Sequence, residues 1–184
     1  MSGELEGKRV LIICQNWGVE QVELLQPLEA LREAGAEVTL GAGEAKPIEC
    51  FTEDRYPGKV VEPDLAYADA RVEDYDLLIV PGGTCNVDRL RIDDDAVAIT
   101  EKMQHADVIV FATPIYYYEM SGQLKTLLDR ANALFPSDYA FRDVYLLASG
   151  TEDEPDTDER AIHGLEGWIA CYEKCRLAGT GFAG

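Results

Sequence analysis

Apolar residues in this chain fall into short continuous runs, separated by stretches in which they recur every three or four positions. Arg9–Cys14, RVLIIC, is a β-branched run that ends at polar residues. The segment QVELLQPLEALREAG after it repeats apolar positions at helical spacing and closes on Gly35, so the two form a βα unit. AEVTLGAG predicts a second strand with a glycine turn, and IECFTEDRYPGKVVEPD an edge hairpin or irregular excursion. YDLLIVPGG reads as a third, buried strand, DDDAVAITEKMQ as a helix with acids in its first turn, and DVIVFATP as a fourth strand. A helix over Gly122–Asn132, a fifth strand in DVYLLASG, a final helix in DERAIHGLEGWIACYEKC and a short sixth strand in LAGTGFAG complete the pattern. Strands regularly separated by helices predict an α/β fold: a doubly wound parallel sheet in the order 2-1-3-4-5 with the short sixth strand at its end, in three α/β/α layers, as one domain over 1–184.

Composition narrows the function. A chain of 184 residues with 47% hydrophobic residues suits one core. Lys plus Arg number 16 against 35 Asp plus Glu, a net charge of −19 that repels phosphate backbones and anionic lipid headgroups. Nucleic acid and membrane partners are therefore not expected, and self-association is left open. The acid is spread along the chain and densest in TEDEPDTDE, the mark of a strongly solvated surface. The absence of a long apolar run or an apolar signal core in MSGELEGKRV predicts a cytoplasmic protein. Five cysteines without a CxxC pair argue against a disulfide framework and a zinc ribbon. Cys171 and Cys175, four apart on a helix, share a face, where core packing outweighs metal binding, and no metal site is predicted.

In a doubly wound sheet the functional loops lie at the carboxyl ends of the strands, here CQNWGVE, PGGTCN, ATPIYYYEMSG and ASGTED. Through KRVLIICQNWGVEQVELLQPLEALREAGAEVTL and YDLLIVPGGTCNVDRLRIDDDAVA, residues 1–100 resemble the PfpI/ThiJ family of intracellular-protease-like and deglycase-like proteins in the glutamine-amidotransferase-like superfamily. From about residue 101, ADVIVFATPIYYYEMSGQLKTLLDRANALF resembles flavodoxin-like NAD(P)H-dependent FMN reductases and iron–sulfur flavoproteins. The two resemblances together imply a flavodoxin-like chimera, recombined or engineered, with its seam between residues 93 and 104.

Each resemblance implies a site. The PfpI-like half carries the family's acidic positions at Glu20 and Glu23 and its backbone-donor loop at Gly82 and Gly83. Where that family has a turn of the form Ala-x-Cys-His-Gly, this chain has FATPIYY, with Ala112, Thr113 and Pro114 in the relevant places. The reductase resemblance implies that Thr113, Pro114, Ile115, Tyr116 and Tyr117 line an isoalloxazine, with Ser121 and Gly122 at the helix start and Ser149, Gly150 and Thr151 from the next loop. The phosphate loop of that family is replaced by CQNWGVEQVE, whose carboxylates repel a phosphate. The expectation is a scaffold with no catalytic residues in place, holding half of a flavin site: no cofactor or weakly bound FMN, with a flavin or another small aromatic ligand as its partner. The alternatives are an FMN-binding NAD(P)H-dependent reductase and, behind it, a PfpI-type cysteine hydrolase or deglycase.

Overall fold

The computed structural model describes residues 3–152 and 154–183, so Asp153 of the acidic run lies outside the described residues. The chain is of the three-layer α/β/α class with parallel sheets, and its contacts divide it into two compact units, Met1–Glu101 and Lys102–Gly184.

The first unit opens with β1 (Arg9–Cys14), β2 (Trp17–Glu20) and α1 (Gln21–Glu33). It continues through β3 (Glu37–Ala42), the antiparallel pair β4 (Ile48–Thr52) and β5 (Tyr56–Val61), and β6 (Leu65–Ala66). After β7 (Leu77–Ile79) come two short helices, α2 (Thr84–Leu90) and α3 (Asp94–Glu101). The main sheet has the order β6-β3-β1-β7 with parallel pairing throughout, and β2-β4-β5 form a small sheet of their own. The predicted strands 2-1-3 are thus adjacent, and the excursion after the second strand is the β4–β5 hairpin. Every residue of β1 after Arg9 is buried, because both faces of the sheet are covered. Val10, Ile12 and Cys14 pack with Leu24 and Leu28 of α1, while Leu11 and Ile13 pack with Tyr67, Leu90, Ala96 and Ile99. A strand sandwiched in this way needs an uninterrupted apolar run, which RVLIIC supplies.

The second unit comprises β8 (Val108–Tyr116), β9 (Glu119–Met120), α4 (Gly122–Arg130), β10 (Asp143–Ser149), α5 (Glu159–Ile169) and β11 (Arg176–Ala183). Its sheet runs β11-β10-β8-β9, parallel except for the two-residue β9. Strands 4 and 5 of the prediction are neighbours here, with the sixth beside the fifth. Ile109, Phe111, Val144 and Leu146 form the core with Leu124 and Leu128 of α4 and Ala161, Leu165 and Ile169 of α5. Aromatic side chains fill the space between: Trp168 lies 4.5 Å from Tyr172 and 5.6 Å edge-on from Phe111, ring centre to ring centre. Burial in β8 and β10 alternates residue by residue, unlike that of β1.

Several local features depart from the expected pattern: the final helix ends at Ile169, so Cys171 and Cys175 lie beyond it, and the last strand spans eight residues. TCNVDRL forms α2 where a glycine turn alone was expected, WGVE pairs with β4 as a strand, and the helix predicted through Gln104 ends at Glu101 in a 3-10 turn.

Candidate functional site

In the first unit the loops that follow β1 and β7 meet through glycine. Gly18 and Gly83 both have positive φ, 86° and 93°. A Cβ built on Gly18 would lie 2.4 Å from the Cβ of Cys85, and one on Gly83 would lie 2.5 Å from the amide nitrogen of Glu20. Only glycine permits that backbone geometry and that approach together. Asn86, fully buried, ties the loops together: its Oδ1 accepts from the Gln15 amide at 2.7 Å, and its amide nitrogen donates to the Pro81 carbonyl at 2.8 Å.

Three carboxylates gather on the glycine turn. Glu23 Oε2 accepts from the Gly82 amide at 2.8 Å. Glu20 Oε2 accepts from the amide of Asp54 at 3.0 Å, and Asp54 in turn takes both the amide and the hydroxyl of Thr84 at 2.8 Å, capping α2 from the β4–β5 turn. Burial raises the pKa of Glu23, the Gly82 amide pulls it back, and the charges of Glu20 and Asp54 raise it further. A carboxyl held toward its protonated form beside backbone donors is suited to proton transfer. Sequence placed Glu20 and Glu23 in the first turn of a helix; the fold brings Glu20, Glu23, Gly82 and Gly83 to one place and adds Asp54, Cys85 and Asn86. Asp54 carried no signal, since the hairpin that presents it lies some thirty residues from either loop.

The cysteines differ sharply. Cys14 is fully buried and its pKa is pushed up to about 12 by burial and the nearby Cys50, whose own thiol is raised by burial. Cys85 is half-buried in the first turn of α2, against Gly18. In the second unit Cys171 is exposed and Cys175 half-buried, and the described residues contain no cluster suited to a metal.

The residues expected to line a flavin separate into two groups. Ile115, Tyr117, Gly150 and Thr151 border a cleft of about 160 Å³ in the second unit, together with Tyr118, Glu152 and Thr157. Thr113, Pro114, Tyr116, Ser121, Gly122 and Ser149 are not among its lining residues. Thr113 Oγ1 accepts from the Ser121 amide at 2.9 Å, and Ser121 Oγ from the Leu124 amide at 3.2 Å, so both buried hydroxyls fix the turn into α4. Tyr116 is 61% exposed, and Gly122 and Ser149 are open to solvent. Of the residues that sequence reasoning missed, Tyr118 continues the tyrosine run and Glu152 belongs to the acidic run, but Thr157 had no distinguishing pattern. The Tyr118 hydroxyl donates to Glu152 at 3.0 Å, which raises the pKa of the phenol.

The model of the DJ-1/PfpI family matches residues 8–113, more than half of the chain, which therefore belongs to that family. A deglycase of Thermococcus kodakarensis is 34% identical over 98 residues, covering 52% of this chain and 53% of that protein. An uncharacterised protein of Archaeoglobus fulgidus is 40% identical over 93 residues, 50% of this chain and 51% of its own length. The chain thus spans about half the length of these curated relatives. An iron–sulfur flavoprotein of Archaeoglobus fulgidus is 43% identical over 51 residues, 28% of this chain and 26% of that one. Among solved structures, oxidised DJ-1 of Toxoplasma gondii superposes with a TM-score of 0.51 at 22% identity over 72% of this chain and 73% of its own. A ThiJ/PfpI domain protein of Brachyspira murdochii gives 0.54 at 9% identity over 96% and 89%. Both share the fold.

These findings overturn the reading as an engineered chimera without an intact catalytic site, and the FMN reductase alternative with it. The chain is a DJ-1/PfpI protein whose relatives include several named deglycases. In the first unit the Gly82 amide donates to Glu23, the Asp54 amide to Glu20 and the Thr84 amide to Asp54. No helix among the described residues is long and apolar enough to cross a membrane.

Proposed function

We propose that the chain is a DJ-1/PfpI-family enzyme of the deglycase type, acting on small carbonyl-derived adducts at the carboxyl ends of β1 and β7. The observation that carries this reading is the Glu23–Gly82 hydrogen bond, which sets a carboxyl of raised pKa on a glycine turn whose next helix begins with Thr84 and Cys85. Residues 112–114 are Ala, Thr and Pro, so this reading takes the nucleophile from a different loop: Cys85, a half-buried cysteine in the first turn of α2, packed against Gly18 and next to Thr84, which Asp54 binds. In the addition step the sulfur of Cys85 bonds to the carbonyl carbon and the C=O π pair moves to oxygen. The thiol proton passes to a carboxylate of the cluster, and the new alkoxide takes up a proton from the Glu23 carboxyl. Glu20 and Asp54 hold the turn in place. The protein operates without a resident cofactor in this scheme. FMN is at most a weak occupant of the second unit's cleft, where Glu152 and its acidic neighbours repel a phosphate, so riboflavin binds no worse than FMN.

The test is the decay of a hemithioacetal formed from a 2-oxoaldehyde and a thiol, followed by absorbance. Cys85→Ser is expected to remove the activity, Glu23→Gln to lower it at least about tenfold, and Cys14→Ser to leave it intact. Undiminished turnover by Cys85→Ser overturns the assignment of the nucleophile.

A further inference from the structure

The peptide group between Pro81 and Gly82 is held at both ends. Its carbonyl oxygen accepts from Asn86 Nδ2 at 2.8 Å, and its N–H, that of Gly82, donates to Glu23 Oε2 at 2.8 Å. The bond is trans, so the group is planar and its C=O and N–H point in opposite directions. Asn86 and Glu23 therefore hold opposite edges of one rigid plate, and a rotation of that plate weakens both bonds together. Glycine leaves room for the arrangement, because a Cβ at residue 82 would collide with the Glu23 carboxylate.

Asparagine is the residue type this position asks for. Fully buried in the first turn of α2, Asn86 also takes the Gln15 amide on Oδ1 at 2.7 Å and gives a second, longer bond from Nδ2 to the Gly82 carbonyl at 3.2 Å. Two carbonyls that only accept and one amide that only donates settle which end of the side chain is oxygen. Aspartate would serve the amide but not the carbonyls, and leucine, of similar shape, would serve none of the three. The neighbour of Asn86 in the chain is Cys85, packed against Gly18, and the loop gripped at Gln15 runs on to Gly18 and Glu20.

We propose that Asn86 is a positioning residue for this site: by holding the Pro81 carbonyl it aims the Gly82 N–H at Glu23, and by holding the Gln15 amide it keeps the loop after β1 aligned with the turn that begins α2. The proposal rests on the reading of Glu23 and Cys85 as the reacting groups. Asn86 acts through the peptide and not on the substrate. The Gly82 N–H holds the Glu23 carboxyl down against burial and against its charged neighbours, Glu20 of β2 and Asp54 of the β4–β5 turn. Loosening the peptide therefore keeps the carboxyl protonated to a higher pH and leaves it less well placed.

The experiment follows the Glu23 carboxyl of the full chain by carbon-13 NMR, its signal identified by its loss in Glu23→Gln, beside hemithioacetal decay across pH. In Asn86→Ser, whose side chain is too short for all three bonds, the Glu23 midpoint is expected to move to higher pH. There kcat is expected to fall about tenfold with KM changed less than about twofold, and the alkaline limb of the rate profile to move with the midpoint. Ile99→Ala, a core change on α3, is expected to lower the urea midpoint yet leave the Glu23 midpoint and the rate profile in place. In the parent chain, where no variant need fold, the Gly82 amide and Asn86 side-chain amide signals are expected to shift together as Glu23 titrates. An unmoved Glu23 midpoint in folded Asn86→Ser overturns the proposal, as does an equal movement in Ile99→Ala or an Asn86 signal indifferent to the titration. A parent chain inactive toward the hemithioacetal overturns the deglycase reading instead, and the two NMR measurements still decide the role of Asn86.

Discussion

The sheets of the two units are built from apolar runs that look alike in sequence and are used differently. In β1, consecutive residues Leu11 and Ile12 are both fully buried, one facing the layer of Leu90 and Ile99, the other the layer of α1. In β10, Leu146 is fully buried but Leu147 is 51% exposed, and in β8 Val110 is 45% exposed between buried Ile109 and Phe111. Helices α4 and α5 cover one face of the second sheet, and the other presents Val108, Val110, Tyr145 and Leu147. A run such as VIVF or YLLA therefore states that a strand forms, whereas the layers packed on it state how much stability each side chain returns.

The sharpest way to break this comparison is alanine substitution on both faces of each strand. Leu11→Ala, Ile12→Ala and Leu146→Ala are each expected to cost roughly 2–5 kcal/mol in urea unfolding, and Leu147→Ala less than about 1 kcal/mol. A Leu147→Ala cost equal to that of Leu146→Ala would mean that the second face is covered in solution. Glycine sharpens the contrast next. Gly83→Ala is expected to cost about 2–3 kcal/mol, since φ is 93° and the new methyl group meets the Glu20 nitrogen at 2.5 Å. Gly122→Ala, with open space around it at the first position of α4, is expected to leave stability unchanged or raise it by up to about 1 kcal/mol.

Smaller effects separate the ways in which the units start their helices. The start of α2 is held by Asp54 from a distant hairpin, whereas α4 is capped locally by Ser121. Ser121→Ala is expected to cost about 1 kcal/mol, read as a shift in the thermal midpoint. The smallest expected effect belongs to Glu23. Its folded pKa lies above its unfolded value, so its favourable contribution is complete below the unfolded glutamate pKa, about 4.3, and is lost as pH rises through the folded value. Glu23→Gln keeps an acceptor for the Gly82 amide. The parent chain should therefore match this variant near pH 4 and fall behind it toward pH 7 in urea midpoints. A gap that closes with rising pH would contradict the direction of the shift.

The positions of β1, α1, β3, β7, β8, α4, β10 and α5, and the α/β class, were legible in local periodicity and punctuation, because strand and helix repeats depend on neighbours along the chain. The tyrosine run stands at a strand end, where such folds place their sites, whereas Glu20, Glu23, Gly82 and Gly83 were singled out by the resemblance of residues 1–100 to the PfpI/ThiJ family. Of the ten residues that the flavoprotein resemblance of residues 101–184 names, Ile115, Tyr117, Gly150 and Thr151 border one cleft, and Thr113 and Ser121 fix the turn into α4. What only the tertiary structure decided was which groups meet across long separations. Asp54 reaches Thr84 by way of a hairpin, and Asn86 joins two loops from inside the core. Neither has a local signature, since a hydrogen bond between residues far apart in the chain depends on the packing of whole elements, to which a short window of residues is blind.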